Sequence, residues 1–381
     1  MKTILFVSGG MNSGSEHCLF RLINTLDPLE FRVVVLTKYD DYNNLHGIQC
    51  HAYFSEESYL ITRNFITKVK YRLFNNHGHH PSATLFSTIL ERHSPDLIYI
   101  NFLTLPDHYS YFFNRPSSYI LHGHSLHHYL YAFDFKTIES RIKNALCIVS
   151  SSGIQAETFR LICANPESHI VYPPVLLSNL IPRVNSRDNL RRQLGINDNT
   201  FVWMMSSTYF NYNKDPLRFI QIGQKIMEAS GKDIFLLWIG SDENSTAAIM
   251  AKEYARTHGI EDKIFFTGQC SHALYVDYLD AADACLLISF EESFSIVTAE
   301  AIAMGKPVLA FDCGGVSEII NADNGYLVEA YNVENFVSKA KELMLNYADF
   351  SPEMMRKSVQ KFDISFQSTP WKEILKNYIK M

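Results

Sequence analysis

Short apolar runs alternate with helix-length amphipathic segments almost from one end of the chain to the other, and that alternation leaves few folds open. Strands that are apolar on both faces must be buried on both, which calls for parallel sheets covered on each side by helices. In the first half the pattern predicts strands at 3–7, 32–36, 97–100, 119–121, 147–149 and 169–171, and helices at 16–26, 59–74, 83–92, 136–144 and 155–163. Two prolines at Tyr172-Pro173-Pro174 cannot continue a central strand, and the stretch to about 187 has no clear period, so it reads as a linker. Alternation then restarts, with strands at 201–205, 234–239, 264–266, 284–288, 307–311 and 326–328 and helices at 216–229, 245–258, 273–281, 295–304 and 333–345. The expected fold class is α/β, with two doubly wound parallel-sheet domains.

A length of 381 residues suits two domains of roughly 150 residues or more. They are read as 1–175 and 176–355, with a tail at 356–381 bracing them. The tail helices are expected at 351–361, N-capped by Ser351, and at 368–380, with Pro370 in the first turn. Aromatic residues make up 13% of the chain and apolar residues 47%, which excludes extended disorder. Forty acids against 34 bases leave a net charge of −6, which excludes nucleic acid as the main ligand because phosphate-backbone binding needs a concentrated basic face. The opening run, Thr3 to Val7, is too short for a signal peptide or a membrane span, and no other stretch approaches the necessary length. The seven cysteines are scattered and form no CxxC pair, so reduced thiols in a cytoplasm are expected, with no metal and no cofactor.

The segment from Ala284 to Ile320 carries the most chemistry. A buried strand runs into a polar turn holding Glu292, and a small-residue helix starts near Ser295. Such a turn sets open backbone N–H groups and a positive helix end at the carboxyl edge of a sheet, where α/β folds bind phosphorylated ligands. Glu292 and Glu300 flank that terminus and can accept hydrogen bonds from sugar hydroxyls. A Gly305-Lys306-Pro307 turn and the pair Gly314-Gly315 follow, the glycines letting backbone approach a ligand closely.

Together these residues resemble the signature of GT-B glycosyltransferases of the family 4 type. Its E-x7-E stands here as Glu292 and Glu300, its A-x-G-x-P-V as Ala303-Met304-Gly305-Lys306-Pro307-Val308, and its G-G-x-x-E-[IL] as Gly314-Gly315-Val316-Ser317-Glu318-Ile319. Trp238-Ile239-Gly240, Phe266-Thr267-Gly268, and Tyr278-Leu279 with Ala282-Asp283 resemble further family motifs. The resemblance implies Rossmann-like domains facing across a cleft, and no metal. It implies that Glu292 contacts the transferred sugar and Glu300 the ribose, while Ser293, Phe294, Ser295, Ile296 and Gly240 line the donor site. Gly14-Ser15-Glu16 resembles the family's N-terminal glycine loop, which lines the donor–acceptor cleft, so the resemblance implies that Gly14 and Ser15 bind the donor. His122, at a strand end before Gly123, matches a family His-Gly and is preferred to His124, while His127 and His128 read as loop residues. Ser150-Ser151-Ser152 reads as a helix N-cap.

Family members supply an arginine and a lysine after the first strand of the second domain. Lys214 matches the lysine, Tyr209 stands in the arginine's place, and Asn213 carries no charge to replace it. Arg218 could compensate if its helix turns inward. Residues Arg63 to Phe74 are basic and aromatic at helical spacing, which suits peripheral contact with an anionic membrane on the inner face of the cell membrane. The function implied is a retaining, metal-independent transfer from a nucleotide-sugar donor to a glycan or lipid-linked acceptor in surface polysaccharide synthesis. The alternatives are an epimerase or other enzyme of the same fold, and an inactive subunit of a glycan-assembly complex.

Overall fold

The computed structural model describes residues 1–9, 14–39, 47–62, 82–103, 105–115, 118–124, 134–164, 167–207, 213–240 and 245–379. They fall into two compact units, Met1–Pro174 with Ile364–Met381, and Val175–Asp363.

The first unit runs β1 (Lys2–Ser8), α1 (Gly14–Ile23), β2 (Phe31–Thr37), β3 (Ala52–Ser55), α2 (Glu56–Thr62), α3 (Ser82–His93), β4 (Leu97–Ile100), α4 (Ser110–Phe113), β5 (Tyr119–Gly123), α5 (Phe135–Lys143), β6 (Cys147–Ser150), α6 (Gly153–Ile162) and β7 (Ser168–Ile170). Its strands are all parallel, in the order β3-β2-β1-β4-β5-β6-β7. Alternate strand residues feed separate cores. Leu5, Val7 and Leu121 pack with Phe86 and Phe159 on one face, while Ile4, Phe6 and Tyr99 pack with Leu19 on the other.

The second unit runs α7 (Ser186–Gln193), β8 (Phe201–Ser206), α8 (Pro216–Ser230), β9 (Ile234–Ile239), α9 (Thr246–Thr257), β10 (Ile264–Phe266), α10 (His272–Ala281), β11 (Ala284–Leu287), α11 (Ile296–Ala303), β12 (Val308–Phe311), β13 (Gly325–Val328), α12 (Val333–Leu345) and α13 (Pro352–Ser358). Its six strands are parallel in the order β10-β9-β8-β11-β12-β13. Strand order reverses between β1 and β4 and again between β8 and β11. At such switch points the outgoing loops diverge and leave a crevice at the carboxyl edge.

The last helix, α14 (Ile364–Tyr378), belongs to the first unit. There Trp371 packs on Phe6 and Tyr99, with ring centroids 6.0 and 5.9 Å apart. Ser351 caps α13, as expected, by accepting from the Met354 N–H. Pro370 lies inside α14 and not in a first turn. The carbonyl it leaves without a donor belongs to Phe366, an exposed residue, where the loss costs least. Among the described residues no helix is long and apolar enough to cross a membrane. The segment 63–74 lies outside them.

β3, α4 and α7 escape the hydrophobic pattern. β3 is a half-buried edge strand of four residues. Helix α7 starts where the expected linker ends, in a stretch assigned to no element, and Leu190 is its buried apolar residue. Arginines hold it in place. Arg187 Nη1 donates to the carbonyls of Asp280 and Ala282, both at 2.8 Å. Arg191 donates through Nε to Ala281 at 2.9 Å and through Nη1 to Thr200 at 3.3 Å. Both guanidinium groups converge on the buried Asp283.

Lys306 joins this cluster, donating to the Asp280 carbonyl at 2.9 Å. Burial, with help from Arg187, pushes its pKa down from 10.5 to about 8, although Asp280 and Asp283 pull the other way. The unfolded chain therefore binds more protons than the folded one between those two values, so this residue's contribution to stability rises with pH across the window. Below it the full penalty, about 3 kcal/mol, persists. Wild type should gain stability relative to Lys306→Met between pH 8 and pH 10 in urea titrations. Parallel pH profiles would remove the effect.

Candidate functional site

Lys214 follows β8 and Glu292 follows β11, so the two loops that part at the second unit's switch point are joined by an ion pair between Lys214 Nζ and Glu292 Oε1. Lys214 also reaches Ser289 Oγ at 3.4 Å. The neighbouring Asn213 straps the same loops together. Its side-chain amide donates to the Glu291 carbonyl and accepts from the Glu291 N–H, both at 2.8 Å, and its carbonyl accepts from the Phe290 N–H at 3.1 Å. From the other side the loop after β12 grips the Glu292 backbone. Glu292 N–H donates to Cys313 at 2.9 Å, and Gly315 N–H donates to the Glu292 carbonyl at 2.8 Å. Gly314 has φ +121°, and a Cβ there would stand 2.5 Å from the Glu292 carbonyl oxygen, so this approach requires glycine.

Helix α11 begins beside that loop. Its N-cap, Ser295, has φ 85° and ψ 83°, left-handed for a residue that is not glycine. The Ser295 hydroxyl lies 2.8 Å from Thr298 Oγ1 and caps no backbone N–H. By contrast Asp215, Ser245, Ser271 and Asn332 do cap their helices. Among the described residues, the first turn of α11 thus keeps backbone donors and the positive dipole end without an N-cap side-chain acceptor, an arrangement suited to an anion. Glu300 is buried inside α11 and accepts from the Tyr275 hydroxyl at 2.6 Å. Ser293 and Ile296 are half-buried. Phe294 turns inward, 1% exposed and edge-on to Phe362 at 4.9 Å, so its side chain anchors the loop and does not line a donor site as the resemblance implied.

Left-handed backbone recurs along this edge. Every strand of the second sheet is followed by a residue of positive φ: Asp215, Gly240, Gly268, Ser295, Gly314 and Tyr331. Gly240 donates to Thr267 Oγ1 at 3.0 Å, and a Cβ on it would stand 2.7 Å from the Ser207 carbonyl oxygen.

The switch point of the first unit is polar too. Ser8 at the end of β1 donates to buried Glu16 at 2.8 Å, and Asn101, just past β4, donates to Ser8 Oγ at 3.5 Å. Asn101 Oδ1 pairs with His124 Nε2 at 2.8 Å, while His124 Nδ1 lies 3.3 Å from Ser151 Oγ. Since the Asn101 amide nitrogen faces Ser8, the Nε2 proton of His124 points at Asn101. Burial pushes the His124 pKa down to about 3, so the ring is neutral. His122 faces the other way. Tyr99 accepts from Trp371 Nε1 at 3.2 Å, and its hydroxyl is hydrogen-bonded to His122 Nδ1, 2.8 Å away. His122 Nε2 is buried without a partner among the described residues. Burial, then neighbouring His124, holds its pKa well below the usual range.

Gly14 opens α1 on the surface, with Ser15 half-buried behind it. Ser152 caps α6, accepting from Gln155 N–H at 3.2 Å. Tyr209, His127 and His128 lie outside the described residues. Ser8, Asn101, Asn213 and Tyr275 carry no motif signal. Their importance arises from contacts across 78 or 93 residues of chain, or between neighbouring helices.

Residues 186–362 match the family model described as glycosyl transferases group 1. N-acetyl-alpha-D-glucosaminyl L-malate synthase of Bacillus anthracis is 25% identical over 200 residues, 51% of this chain and 49% of that protein. D-inositol 3-phosphate glycosyltransferase of Rhodococcus erythropolis is 26% identical over 165 residues, 42% of this chain and 37% of that one. The chain spans about half or less of the length of these curated relatives. Among solved structures, sucrose-phosphate synthase from Thermosynechococcus elongatus superposes with a TM-score of 0.76 at 16% identity, covering 99% of both chains. Anabaena Alr3699/HepE in complex with UDP-glucose gives 0.75 at 19% identity, covering 99% of this chain and 100% of that one. At such identities the likeness establishes the fold, GT-B.

Proposed function

We propose that this chain, whose residues 186–362 belong to the glycosyl transferases group 1 family, transfers a sugar from a nucleotide-sugar donor to a glycan or lipid-linked acceptor in surface polysaccharide synthesis. The observation that carries this reading is the Lys214–Glu292 pair, set at the second sheet's switch point next to a helix start that no side chain caps. The donor diphosphate would take the first-turn N–H groups of α11 and the Lys214 ammonium, leaving Glu292 to bond the transferred sugar. Glu300, now engaged by Tyr275, would accept from the ribose. Gly240 and Ser293 to Ile296 would supply backbone contacts. Gly14 and Ser15 are proposed to bind the donor as well, and the first unit, with His122, is read as the acceptor side.

Fixed cations and helix N–H groups can neutralise a departing diphosphate, so the reaction is proposed to need no divalent metal, and retention of anomeric configuration follows the family resemblance. A panel of UDP-, GDP-, dTDP- and ADP-sugars assayed by thermal shift tests the reading, because a donor that binds the folded state raises the melting temperature. One base class should stabilise the protein and also support transfer or slow donor hydrolysis in EDTA. No stabilisation by any donor, or turnover strictly dependent on added metal, would count against it. Contact of residues 63–74 with anionic lipid belongs to the same reading. Lys68→Ala/Lys70→Ala should sediment less with anionic liposomes than wild type.

A further inference from the structure

Arg218, in the first turn of α8, is a half-buried cation with few partners. Its guanidinium makes one hydrogen bond among the described residues, from Nη1 to the Ile288 carbonyl at 3.2 Å, and none of their carboxylates forms an ion pair with it. The nearby Asp215 carboxylate is engaged in capping α8, accepting from the Arg218 backbone N–H at 3.0 Å. Burial lowers the Arg218 pKa, the sign of a charge held at a cost. Asp215 favours the charged form of the guanidinium, but among the described residues no carboxylate pairs with it directly, so a bound anion would complete a partly desolvated cation.

Aromatic rings surround this group. The guanidinium carbon lies 4.6 Å from the Phe290 ring centroid, 4.7 Å from that of Phe311 and 5.6 Å from that of Tyr331. Phe311 is buried, but Phe290 is 36% exposed and Tyr331 60%. Tyr331 also has φ +66°, a conformation that a bulky side chain adopts only under constraint. The two exposed rings lie 5.8 Å apart and are inclined by 39°, so they do not form the parallel slot that would clasp a flat base. They do offer an apolar shelf to the C–H face of a saturated ring, beside a guanidinium whose remaining N–H groups suit an anion.

We infer that Arg218, Phe290 and Tyr331 form a binding site for an anionic pyranose, a sugar ring bearing a carboxylate or a phosphate. Phe290 shares a loop with Glu292. That the bound sugar is a unit of the acceptor glycan rests on the glycosyl-transfer reading, whereas the binding does not.

Glucuronate, glucose 6-phosphate, methyl glucoside and inorganic phosphate, offered to the full chain and followed by saturation-transfer NMR, test the site. At least one anionic sugar should bind about tenfold or more tightly than methyl glucoside and inorganic phosphate. Tyr331→Ala and Arg218→Met should each weaken that binding by about tenfold or more, as expected for loss of the stacking surface or of a charge-assisted hydrogen bond. UDP should neither displace the sugar nor lose its effect on melting temperature in the variants. If Arg218→Met does not fold, Phe290→Ala and Tyr331→Ala carry the comparison. Failure of both anionic sugars to bind, unchanged binding in Tyr331→Ala, or displacement by UDP overturns the site. A chain that binds glucuronate as expected while no nucleotide-sugar shifts its melting temperature would overturn the transfer reading instead.

Discussion

Asp283→Ala is expected to lower the unfolding free energy of the second unit by about 3–5 kcal/mol, the range found when a buried ion pair loses one partner. The carboxylate serves several groups at once. One oxygen pairs with Arg187, while the other pairs with Arg191 at 2.5 Å and accepts from the Val202 N–H at 2.7 Å. Arg191 is 7% exposed and Lys306 is 6% exposed, so alanine would strand buried positive charge with no route to water. The damage should extend to α7, which leans on these arginines and not on an apolar stripe, and to the start of β8, where Val202 would lose its partner. For a unit of this size the loss amounts to roughly 10 °C in melting temperature. Calorimetry of wild type and variant checks it, with Asp283→Asn as the milder comparison because it keeps the bond to Val202. A loss below about 1 kcal/mol would mean that the arginine clamp is ornamental.

Lys214→Met and Glu292→Gln should each reduce turnover by about 10²–10³-fold, the usual consequence of removing one preorganised charged group from a transfer site. The loop should stay in place, since the Glu292 backbone is gripped by Cys313 and Gly315 and strapped by Asn213, but Lys214→Met should cost stability by leaving the largely buried Glu292 carboxylate unpaired. The two variants should differ in kind. Lys214→Met removes the cation proposed to neutralise the leaving diphosphate and should raise the donor KM along with the fall in kcat. Glu292→Gln keeps the shape and one acceptor oxygen, so its loss should fall mainly on kcat. Steady-state kinetics at saturating acceptor separate them. Either variant retaining half of wild-type turnover would place the chemistry elsewhere.

Much of the fold was readable because buried parallel strands announce themselves. Ile234–Ile239 and Ile264–Phe266 stand where the apolar runs predicted them. What stayed hidden was structure whose stabilisation is not apolar. The sequence of α7, Ser-Arg-Asp-Asn-Leu-Arg-Arg-Gln, has almost no hydrophobic period, and the arginine contacts that hold it come from residues some 90 positions away. The site was readable to a similar depth. Motif spacing put Glu292 and Lys214 each in a loop after a strand, but it did not show that the two side chains meet, and nothing in a serine codes for the left-handed backbone of Ser295, which only the surrounding packing can impose. Phe294 was misjudged for the same reason: its neighbours in sequence are polar loop residues, while its partner in space, Phe362, is remote in the chain. The histidines show the limit most plainly. His122 was preferred to His124 on a His-Gly match alone, whereas its surroundings are set by Trp371 closing over Tyr99, a contact spanning 272 residues.

That contact bears on how the protein can be made. Because α14 completes the core around Phe6 and Tyr99, the sheet of the first unit leaves the ribosome missing one of its own walls and cannot finish until Ile364–Tyr378 has been translated. The segment Val175–Asp363, synthesised in between, carries all its own strands and can mature first. During elongation the nascent chain must therefore keep an apolar surface of its earliest-made sheet shielded, which makes that surface a natural landing place for chaperones.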